Sequence, residues 1–556
     1  MFAPLLVLAL VALRDDAPAP AGDVALIELR VRDVGTSRTP LLGSYSRFGY
    51  NQPGPALLWA LAVPYRMVGS RYAGLELGAL GIAAASFAVV LWVAWRRAGG
   101  LGAAGTGAVL AVFARGVGPG WLVDPWEPHV LAPVGLALLV LAADTAAGRA
   151  WSLPLVVAAA SFVAQAWGTM LVFGVTLGAL AATAVIVEAV RSRVRRRSAM
   201  RSLAVSALVV LVMWAPTIVQ QLRTEPGNLV AMSRALGGGG PRFGATNAWR
   251  AVAVELGHRP PWVGFPQQLE GFSPTVDLDA APTVPVVGLA ALLALVLAVT
   301  HRWRGPVSLG AMVLVGVVAA WWSLAQLIPP LFIWIPQWLG ILGASAALSV
   351  GAVAARLVPV PVRSKAVPVL LVVTAGLGVA SAVEATGDWR EPDLLRDAVR
   401  DVAGPAAVAV GEDRPVLVRS RLDVNQAIGP QDVAPEVLVA TLERRGVDVV
   451  VDRLDANRFG PQRARPERAE RELRIVSVED EVPVGFEVVA VVDPLGAHGR
   501  RTRSRLLAEA GLPAEATLGD VLRAIAADRS LRRLADDLGP YPDLPRVALV
   551  LGPATD

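Results

Sequence analysis

The sequence contains no cysteine in 556 residues and only four histidines. It therefore has no disulfide, no thiolate nucleophile and no cysteine-ligated zinc, and any domain outside the cell must fold on its hydrophobic core alone. The few histidines leave little for a metal site built from several of them. Charge is also scarce, because charged residues make up 17% of the chain, whereas a soluble protein has about 25%.

Apolar residues take the place of the missing charge. They make up 54% of the sequence, and the mean hydropathy is +0.53. This composition predicts a polytopic α-helical membrane protein. A pI near 10.1 is also typical of nucleic-acid-binding proteins, but many of the arginines lie in short loops between apolar runs, which indicates membrane topology and no nucleic acid.

About eleven apolar runs are candidates for transmembrane helices. Arginines and a lysine occupy alternate loops between the runs, and the loops at 117–128 and 325–330 carry neither. By the positive-inside rule, this pattern predicts a cytoplasmic N-terminus and an extracytoplasmic C-terminus in the plasma membrane. The runs lie at 1–13, 72–95, 102–115, 129–147, 152–166, 170–190, 202–219, 284–300, 306–324, 331–355 and 366–384.

Two of these boundaries stay open. The first run is shorter than the roughly 20 residues that a span needs. Residues 1–13 are therefore either a membrane helix with a shortened start, which we favour, or the core of a signal peptide. Residues 152–190 form either two spans or one long interrupted hairpin.

The topology divides the chain into a membrane domain, residues 1–385, and an extracytoplasmic tail, residues 386–556. The outer loops of the membrane domain are residues 14–71, 117–128 and 220–283. Residues 56–68 are apolar but contain Pro64, and counting them as a span would place the later arginine loops outside. We therefore predict a helix lying at the outer surface there.

The tail alternates helical stretches with short β-branched runs, which predicts a small α/β domain. We expect it to be an accessory domain that binds the acceptor or packs over the catalytic cleft. The predicted helices lie near 391–403, 434–445, 501–511 and 518–537, and the predicted strands near 406–410, 415–418, 447–451, 486–492 and 546–551.

Asp23 and Glu28 lie on a short amphipathic helix predicted from Asp23 to Val34, just outside the membrane. A carboxylate there can act as a general base towards an acceptor hydroxyl, or can hold a divalent cation beside a phosphate leaving group. The competing interpretation is the solvated face of an interfacial helix, and the bare sequence favours it.

Arg47 lies between aromatic residues and suits phosphate binding, although snorkelling to lipid headgroups explains it as well. The loop at 121–129 carries Asp124, Glu127 and His129 beside two tryptophans. It is either a substrate-facing loop or an aromatic belt with a solvated turn.

Gln220 and Gln221 end a helix just before the turn Pro226-Gly227-Asn228. Their amides can bond sugar hydroxyls at the outer interface. Glutamines and a turn are also common at the end of any helix, so this signal is weak when taken alone.

In their order and placement, these residues resemble the actinobacterial GT-C glycosyltransferases, membrane enzymes of the mannosyltransferase and arabinosyltransferase type. The resemblance covers residues 1–385 and extends weakly into the tail. It rests on an Asp-containing first outer loop, Gly43-Ser-Tyr-Ser-Arg47-Phe-Gly, Asn51-Gln-Pro-Gly-Pro55, Asp124-Pro-Trp-Glu-Pro, Trp214-x-Pro with Gln220-Gln221 and Pro226-Gly227-Asn228, and in the tail on Leu442-Glu-Arg-Arg-Gly446 and Arg458-Phe-Gly460.

The resemblance implies a GT-C-like fold and a membrane glycosyltransferase. Such an enzyme moves a sugar from a polyprenyl-phosphate donor to an extracytoplasmic cell-envelope glycan, lipid or protein, usually with inversion. Asp23 matches the position of the family's base or metal neighbour, with Glu28 as the substitute, and a divalent cation (Mg²⁺ or Mn²⁺) stays open. Arg47 and Arg223 would bind the donor phosphate. The sugar and acceptor would contact Asn51, Gln52, Asp124, Glu127, His129, Gln165, Gln220, Gln221 and Asn228.

The chain departs from the family pattern at two points. Gln52 stands where the family commonly has histidine in Asn-His-Pro-Gly-Pro, and Trp167 stands where a histidine follows the glutamine of a middle helix, here Gln165. These losses indicate a changed substrate or an inactive copy. The alternatives are therefore a catalytically inactive scaffold or sensor, or a transporter of a lipid-linked substrate, although the polar midplane groups and internal repeat of a transporter are not clear here.

Overall fold

A computed structural model describes most of the chain, namely residues 2–14, 20–46, 48–267, 275–279, 281–282, 284–387, 394–411, 414–420, 434–478, 481–514, 516, 518–531, 533–534, 538 and 546–554. Its larger part is helical. The membrane part contains α1 (Ala3–Arg14), α2 (Gly22–Asp33), α3 (Ala56–Met67), α4 (Ala73–Val117), α5 (Pro119–Val123), α6 (Glu127–Ala146), α7 (Leu153–Ala166), α8 (Leu171–Arg191), α9 (Arg196–Arg223), α10 (Asn228–Gly237), α11 (Ala245–Leu256), α12 (Val286–Thr300), α13 (Arg304–Ala325), α14 (Gly340–Leu357) and α15 (Val360–Glu384).

Each predicted apolar run overlaps a helix, although the run at 331–355 begins in turns and becomes α-helical only from Gly340. Within the described part of the chain, seven helices are long and apolar enough to cross a membrane, and shorter apolar helices lie at Ala3–Arg14, Ala56–Met67, Ala150–Ala166 and Val286–Thr300. The 45-residue helix α4 carries two of the predicted runs. It is interrupted at Ala98 and Gly99, where Gly99 has a φ of +58°, a conformation that glycine adopts without steric cost. The chain is a multi-pass membrane protein.

Burial separates the helices at the centre of the bundle from those at its edge. In α6, 89% of the apolar window is buried, whereas in α15 only 11% is. Close packing at the centre depends on small residues, because a Cβ added to Gly135 would lie 2.7 Å from Ile341 Cδ1. The exposed valines of α15 are those expected of a helix that faces lipid.

One ion pair fastens the bundle at the end that the sequence places inside the cell. Asp144 is buried, and Arg97 Nε lies 2.5 Å from its Oδ1, while the Ser152 hydroxyl donates to its Oδ2 at 2.6 Å. The arginine of a predicted cytoplasmic loop thus also has a structural role. A buried carboxylate needs such partners because its desolvation is costly.

A helix is present at the predicted position 56–68, namely α3 with 12 residues, and its place at the outer surface stays a prediction. At 1.5 Å per residue it is too short to cross the hydrocarbon core. The stretch 152–190 is divided at Trp167, whose extended backbone separates α7 from a 3₁₀ turn and α8. Of the two readings for this stretch, the structure shows two helices with a break between them.

The tail forms a small α/β domain around a five-stranded sheet of order β2-β1-β3-β5-β4. The first three strands are parallel, and β5 is antiparallel to β3 and β4. The elements are α16 (Leu394–Val410), β1 (Val416–Ser420), α17 (Ala434–Arg444), β2 (Val449–Val450), α18 (Ala456–Phe459), β3 (Arg471–Ser477), β4 (Glu487–Val492), α19 (Gly496–Glu509), α20 (Leu518–Ala527) and β5 (Val547–Pro553).

One predicted strand of the tail is wrong, and one observed strand was not predicted. Residues 406–410 belong to α16 and not to a strand, because Val399, Ala403 and Ala406 are fully buried at a helical spacing. Strand β3 was not predicted because its sequence, RELRIVS, is charged. Glu472 and Arg474 are nevertheless buried there, where they pair with each other.

Helix α2 packs between the two domains. Ile27 and Val31 are fully buried in the core of the membrane domain, whereas Leu26 and Leu29 are buried in the core of the tail domain. Residues four apart share a helix face, so one helix presents an apolar stripe to each side. The boundary near residue 386 therefore does not separate the two domains completely, because a segment of the first outer loop completes the core of the tail domain.

A buried glutamate in α11 gives the fold a predicted pH dependence. Glu255 is 2% exposed, and among the described residues its Oε2 has no hydrogen-bond partner. Burial raises the pKa of Glu255 from 4.5 to about 8. Between these values the unfolded chain has released the proton that the folded chain retains, so stability falls as the pH rises from about 4.5 to about 8.

Glu255→Gln is expected to remove this loss, because glutamine has no proton to release. Thermal unfolding in detergent should show the variant to be more stable than the parent by on the order of 3 kcal/mol at pH 7, with the difference vanishing near pH 4. Glu509→Gln, at an exposed position on α19, is the matched control and should show no such trend. A pH-independent difference at Glu255 would contradict this account.

Candidate active site

Asp23 lies in the first turn of α2, on the same face as Ile27 and Val31. That face packs against the membrane domain, so the carboxylate points towards the bundle and not towards the tail sheet. Asp23 is exposed. A carboxylate in the first turn is also stabilised by the helix dipole.

The loop Asp124-Pro-Trp-Glu-Pro lies against Asp23. Trp126 Nε1 donates a hydrogen bond to Asp23 Oδ2 at 3.1 Å. The loop also fixes the backbone that carries this indole, because the Trp126 backbone N–H donates to Asp124 Oδ1 at 3.1 Å. Pro125 and Pro128 limit the backbone on both sides of the tryptophan. The predicted first-loop acid and the predicted short loop therefore meet in one site.

A chain of polar groups continues from this loop. His129 Nδ1 lies 2.8 Å from Asp124 Oδ2, and His129 Nε2 lies 2.7 Å from Gln337 Oε1. The imidazole thus bridges the start of α6 and the 3₁₀ turn before α14. Gln337 is a site residue that the sequence analysis missed, because a single glutamine in an apolar stretch gives no signal of its own.

Aromatic rings form one wall of the site. The centroids of Trp126 and Trp334 are 5.8 Å apart, and Phe332 stacks on Trp334 at 4.8 Å. On the other side of the loop, the Trp121 and His129 rings are 5.2 Å apart. Flat apolar faces beside polar groups are the kind of surface on which a sugar ring or an isoprenoid can pack.

Glu127 lies behind the surface of the site. It is 7% exposed, the Ser44 side chain is hydrogen-bonded to it, and the carboxylates of Asp23 and Asp124 act on it electrostatically. Three acidic side chains therefore gather around Trp126. Because Glu127 is buried, Asp23 and Asp124 are the more accessible members of the group.

Glu28 does not lie with Asp23. Five residues along a helix turn the side chain by about 140°, so Glu28 lies on another face of α2, between Tyr65 of α3 and Arg444 of the tail domain. It is fully buried, accepts a hydrogen bond from the Tyr65 hydroxyl at 2.7 Å, and pairs with Arg32 at 2.7 Å and with Arg444. Burial opposes ionisation, but the charges of Arg32 and Arg444 outweigh it and hold the pKa of Glu28 below its ordinary value.

The segment Asn51-Gln-Pro-Gly-Pro55 fastens the first outer loop to two transmembrane helices. The Gly168 backbone N–H donates to Gln52 Oε1 at 2.9 Å, and the Thr217 hydroxyl donates to the Pro53 carbonyl at 2.8 Å. Gln165 is fully buried beside Gly54, where an added Cβ would lie 2.2 Å from its Oε1. The Gln52 side chain and the Gln165 backbone carbonyl, which accepts the Gly54 N–H at 3.1 Å, thus hold the loop in place, whereas the Gln165 side chain donates to the Met213 carbonyl.

Gln220 and Gln221 cap the start of α10. Their Oε1 atoms accept the backbone N–H groups of Asn228 and Leu229 at 3.2 and 2.9 Å. Asn228 in turn makes two hydrogen bonds to the Asn51 backbone, at 2.8 and 2.9 Å. The side-chain amides of Gln220 and Gln221, which were predicted to bind sugar, thus accept backbone N–H groups at the start of α10 that have no partner within the helix.

The two arginines predicted to bind phosphate are placed differently. Arg223 is exposed at the end of α9. Arg47 lies outside the described residues, although its neighbours Ser46 and Phe48 are described. The position of Arg47 relative to Asp23 therefore stays a prediction.

The tail domain contributes residues that the sequence analysis did not assign. Asn457 Nδ2 donates to the Gly49 backbone carbonyl at 2.8 Å. The Asn457 backbone carbonyl accepts a hydrogen bond from Asn51 Nδ2 at 2.9 Å. Next to it, Arg458 pairs with the buried Glu436. Burial raises the pKa of Glu436 to about 7; Arg458 opposes the rise and the Asp23 carboxylate adds to it. The signal available in the sequence was the motif Arg458-Phe-Gly460, to which no role was given.

No protein-family model and no curated protein sequence matches the chain. Solved structures do. The crystal structure of ArnT from Cupriavidus metallidurans bound to undecaprenyl phosphate superposes with a TM-score of 0.52 at 14% identity, over 87% of this chain and 94% of that one. Its apo form gives 0.54 at 13% identity over the same shares. The chain has the GT-C fold.

An oligosaccharyltransferase from Archaeoglobus fulgidus, solved with zinc and sulfate, covers 99% of this chain and 88% of its own at 10% identity, with a TM-score of 0.41. That likeness is too distant to add to the assignment. The GT-C fold confirms the predicted architecture of an apolar helix bundle followed by an α/β domain. At these identities the likeness concerns the fold alone.

The residues of this GT-C chain do not form a ready cation site. In the part of the chain that the structure describes, no three histidine, aspartate or glutamate side chains lie close enough together to hold a metal ion. Asp23 and Glu28, which were predicted to hold a cation if one is used, point to opposite sides of α2. We therefore derive no chemical step through a metal.

Proposed function

We propose that the chain is a membrane glycosyltransferase that takes a sugar from a polyprenyl-phosphate donor and transfers it to an extracytoplasmic cell-envelope acceptor, with inversion. The observation that carries the proposal is the position of Asp23. On a GT-C helix bundle, this exposed carboxylate is held by Trp126 beside Asp124 and His129, at the end that the sequence places outside. The bound undecaprenyl phosphate of the similar ArnT structure supports a lipid-phosphate donor.

The chemistry requires few groups. Asp23 accepts the proton of an acceptor hydroxyl while the hydroxyl oxygen forms a bond to the anomeric carbon of the sugar. The bond from that carbon to the phosphate oxygen breaks, and the polyprenyl phosphate leaves with the electron pair. The Trp126 N–H fixes the Asp23 carboxylate, and positioning of this kind supplies much of the rate enhancement of such transfers.

Donor turnover tests the proposal against an inactive scaffold. The purified chain in proteoliposomes is incubated with radiolabelled hexosyl and pentosyl polyprenyl phosphates and a cell-envelope extract as acceptor. Release of polyprenyl phosphate together with labelled product is the expected result for at least one donor. Folded protein that turns over none of them would contradict the proposal, and passage of an intact donor across the bilayer would indicate a transporter.

The proposed orientation places the N-terminus inside and the tail outside, and the absence of cysteine makes it directly testable. Val194, between α8 and α9, is 93% exposed, and Leu454, in the tail domain, is 96% exposed. In intact cells a membrane-impermeant maleimide should label Leu454→Cys but not Val194→Cys, and permeabilisation should make both react. The reverse pattern would invert the topology and place Asp23 in the cytoplasm.

A further inference from the structure

Helix α2, which carries Asp23, is held by the tail domain through a set of buried charges. We call this set the α2 ion-pair cluster; it consists of Glu28, Arg32 and Asp33 on α2 with Glu443, Arg444 and Arg463 of the tail. All three residues on α2 belong to the first outer loop, more than 400 positions away in sequence from those of the tail. The contact is therefore a long-range tertiary one.

The first half of the cluster centres on Glu28. Arg444 Nε donates to Glu28 Oε1 at 3.0 Å, and its second nitrogen bonds Oε2, so the guanidinium binds the carboxylate in the bidentate mode. Arg32 bonds the same carboxylate and reaches across to the Ala440 carbonyl at 3.1 Å. The orientation of the Glu28 carboxylate relative to the Arg444 guanidinium is thus fixed as well as the distance between them.

The second half of the cluster centres on Arg463, which is 3% exposed. Its Nη1 lies 2.9 Å from Asp33 Oδ2, and its Nε lies 2.6 Å from Glu443 Oε1. Gln462 Nε2 also donates to Asp33 Oδ2 at 2.7 Å. Glu28 and Asp33 therefore anchor the middle and the end of α2 to two separate parts of the tail domain.

Apolar packing and a second polar contact also connect the first outer loop to the tail domain. Leu26 and Leu29 of α2 are buried in the core of the tail domain, together with Val437 and Leu438 of α17. Asn457 hydrogen-bonds the loop at Gly49 and Asn51. Helix α2 and the loop at Gly49 and Asn51 thus both contact the tail domain in addition to the membrane domain, whereas an accessory domain would need only surface contacts.

We propose that Glu28, through Arg444 of the tail domain, is a positioning residue, and that the tail domain thereby sets where Asp23 stands over the membrane bundle. This inference rests on the proposed function of Asp23. It assigns to the tail domain a part in forming the active site, in place of a role confined to the acceptor. Misplacement of a reacting group by about 1 Å can cost about 10²-fold in rate, so the arrangement has a measurable consequence.

The test uses the full chain with Arg444→Gln. The expected result is a fall in kcat of about 10²-fold with the donor KM changed less than about threefold, because donor-binding groups on the bundle stay in place. Hydrogen exchange followed by mass spectrometry should show faster exchange at residues 22–33 and unchanged exchange in α6 and α13. Arg444→Lys keeps the charge without the bidentate geometry, and we expect it to recover part of kcat.

Arg468→Gln is the matched control, since Arg468 forms an exposed pair with Asp448 in the same domain at 2.9 Å. It should change neither kcat nor exchange. If Arg444→Gln does not fold, Arg444→Lys decides the question by the same two readouts. Unchanged kcat and exchange in the Arg444 variants, with Asp23→Asn inactive, would overturn this inference alone, whereas an active Asp23→Asn would overturn the proposed function.

Discussion

Asp23→Asn is expected to lower the rate of sugar transfer by about 10²–10⁴-fold, the usual contribution of a general base. Asparagine keeps the size of the side chain and can still accept the Trp126 hydrogen bond, but it cannot take up the acceptor proton. Transfer from a labelled polyprenyl-phosphate sugar in proteoliposomes gives the rate. Donor binding, measured with the same lipid at equilibrium, should stay within a few-fold of the parent.

Asp279→Asn provides the control for loss of one outer negative charge. Asp279 has a side chain that is 92% exposed and pairs with Arg250. It should transfer sugar at the parental rate. An Asp23→Asn variant that is as active as Asp279→Asn would remove Asp23 from the mechanism.

Arg463→Ala is expected to destabilise the fold strongly. The change leaves Asp33 and Glu443 without the guanidinium that bridges them, and removal of one member of a buried pair typically costs about 3–5 kcal/mol. Gln462 still donates to Asp33, and Arg32 lies 3.8 Å from Glu443, so we expect the lower end, about 3 kcal/mol. Thermal unfolding in detergent, followed by circular dichroism, measures the loss.

The comparison is with Arg468→Ala, which removes the same side chain from an exposed pair and should cost at most about 1 kcal/mol. The second variant controls for lost charge and lost side-chain volume in the same domain. Equal effects in the two variants would show that the α2 ion-pair cluster contributes no more than surface charges do.

The helix bundle could be predicted from the sequence because the signal is strong. About 20 apolar residues are needed for each span, and the arginine loops fix their alternation. The break in α4 was predicted as a loop between two runs, and the structure shows it as an interruption at Gly99. Apolar runs of this length are compatible with few structures other than membrane helices.

The position of the proposed base, Asp23, was predictable only in part. Asp23 was preferred as the base and Glu28 was kept as its substitute, because both lie on one short outer helix. Their spacing of five residues places the two carboxylates on different faces of α2. The role of each carboxylate depends on which residues pack against its face. Only the fold shows that α2 has apolar neighbours on both sides, because the second set, around Leu438 and Val437, lies more than 400 positions further along the chain.

The polar amides were hard to interpret for a different reason. Gln52, Gln220 and Gln221 are suitable for bonding sugar hydroxyls, but they are equally suitable for free backbone N–H groups. Which partner they meet depends on where loops and helix ends come to lie. In the structure these are the N–H groups of Gly168, Asn228 and Leu229.

Strand β3 shows the same dependence on partners. Its charged residues gave no strand signal in the sequence, because isolated charges are rarely buried. Arg419 of β1 lies 3.0 Å from Glu472, and Glu472 also pairs with Arg474, so the charges enter the sheet as a group. A pattern read along the chain cannot show a partner that the neighbouring strand provides.

The most direct test of the central claim is a structure of the chain bound to a non-hydrolysable polyprenyl-phosphonate sugar. The account predicts that the sugar packs against the wall of Trp126 and Trp334, with the phosphonate on the side of the anomeric carbon that faces away from Asp23. The distance from the Asp23 carboxylate to that carbon should leave room for one acceptor oxygen, about 6 Å. A donor bound with its anomeric carbon away from Asp23, in a protein that transfers the natural sugar, would contradict the account.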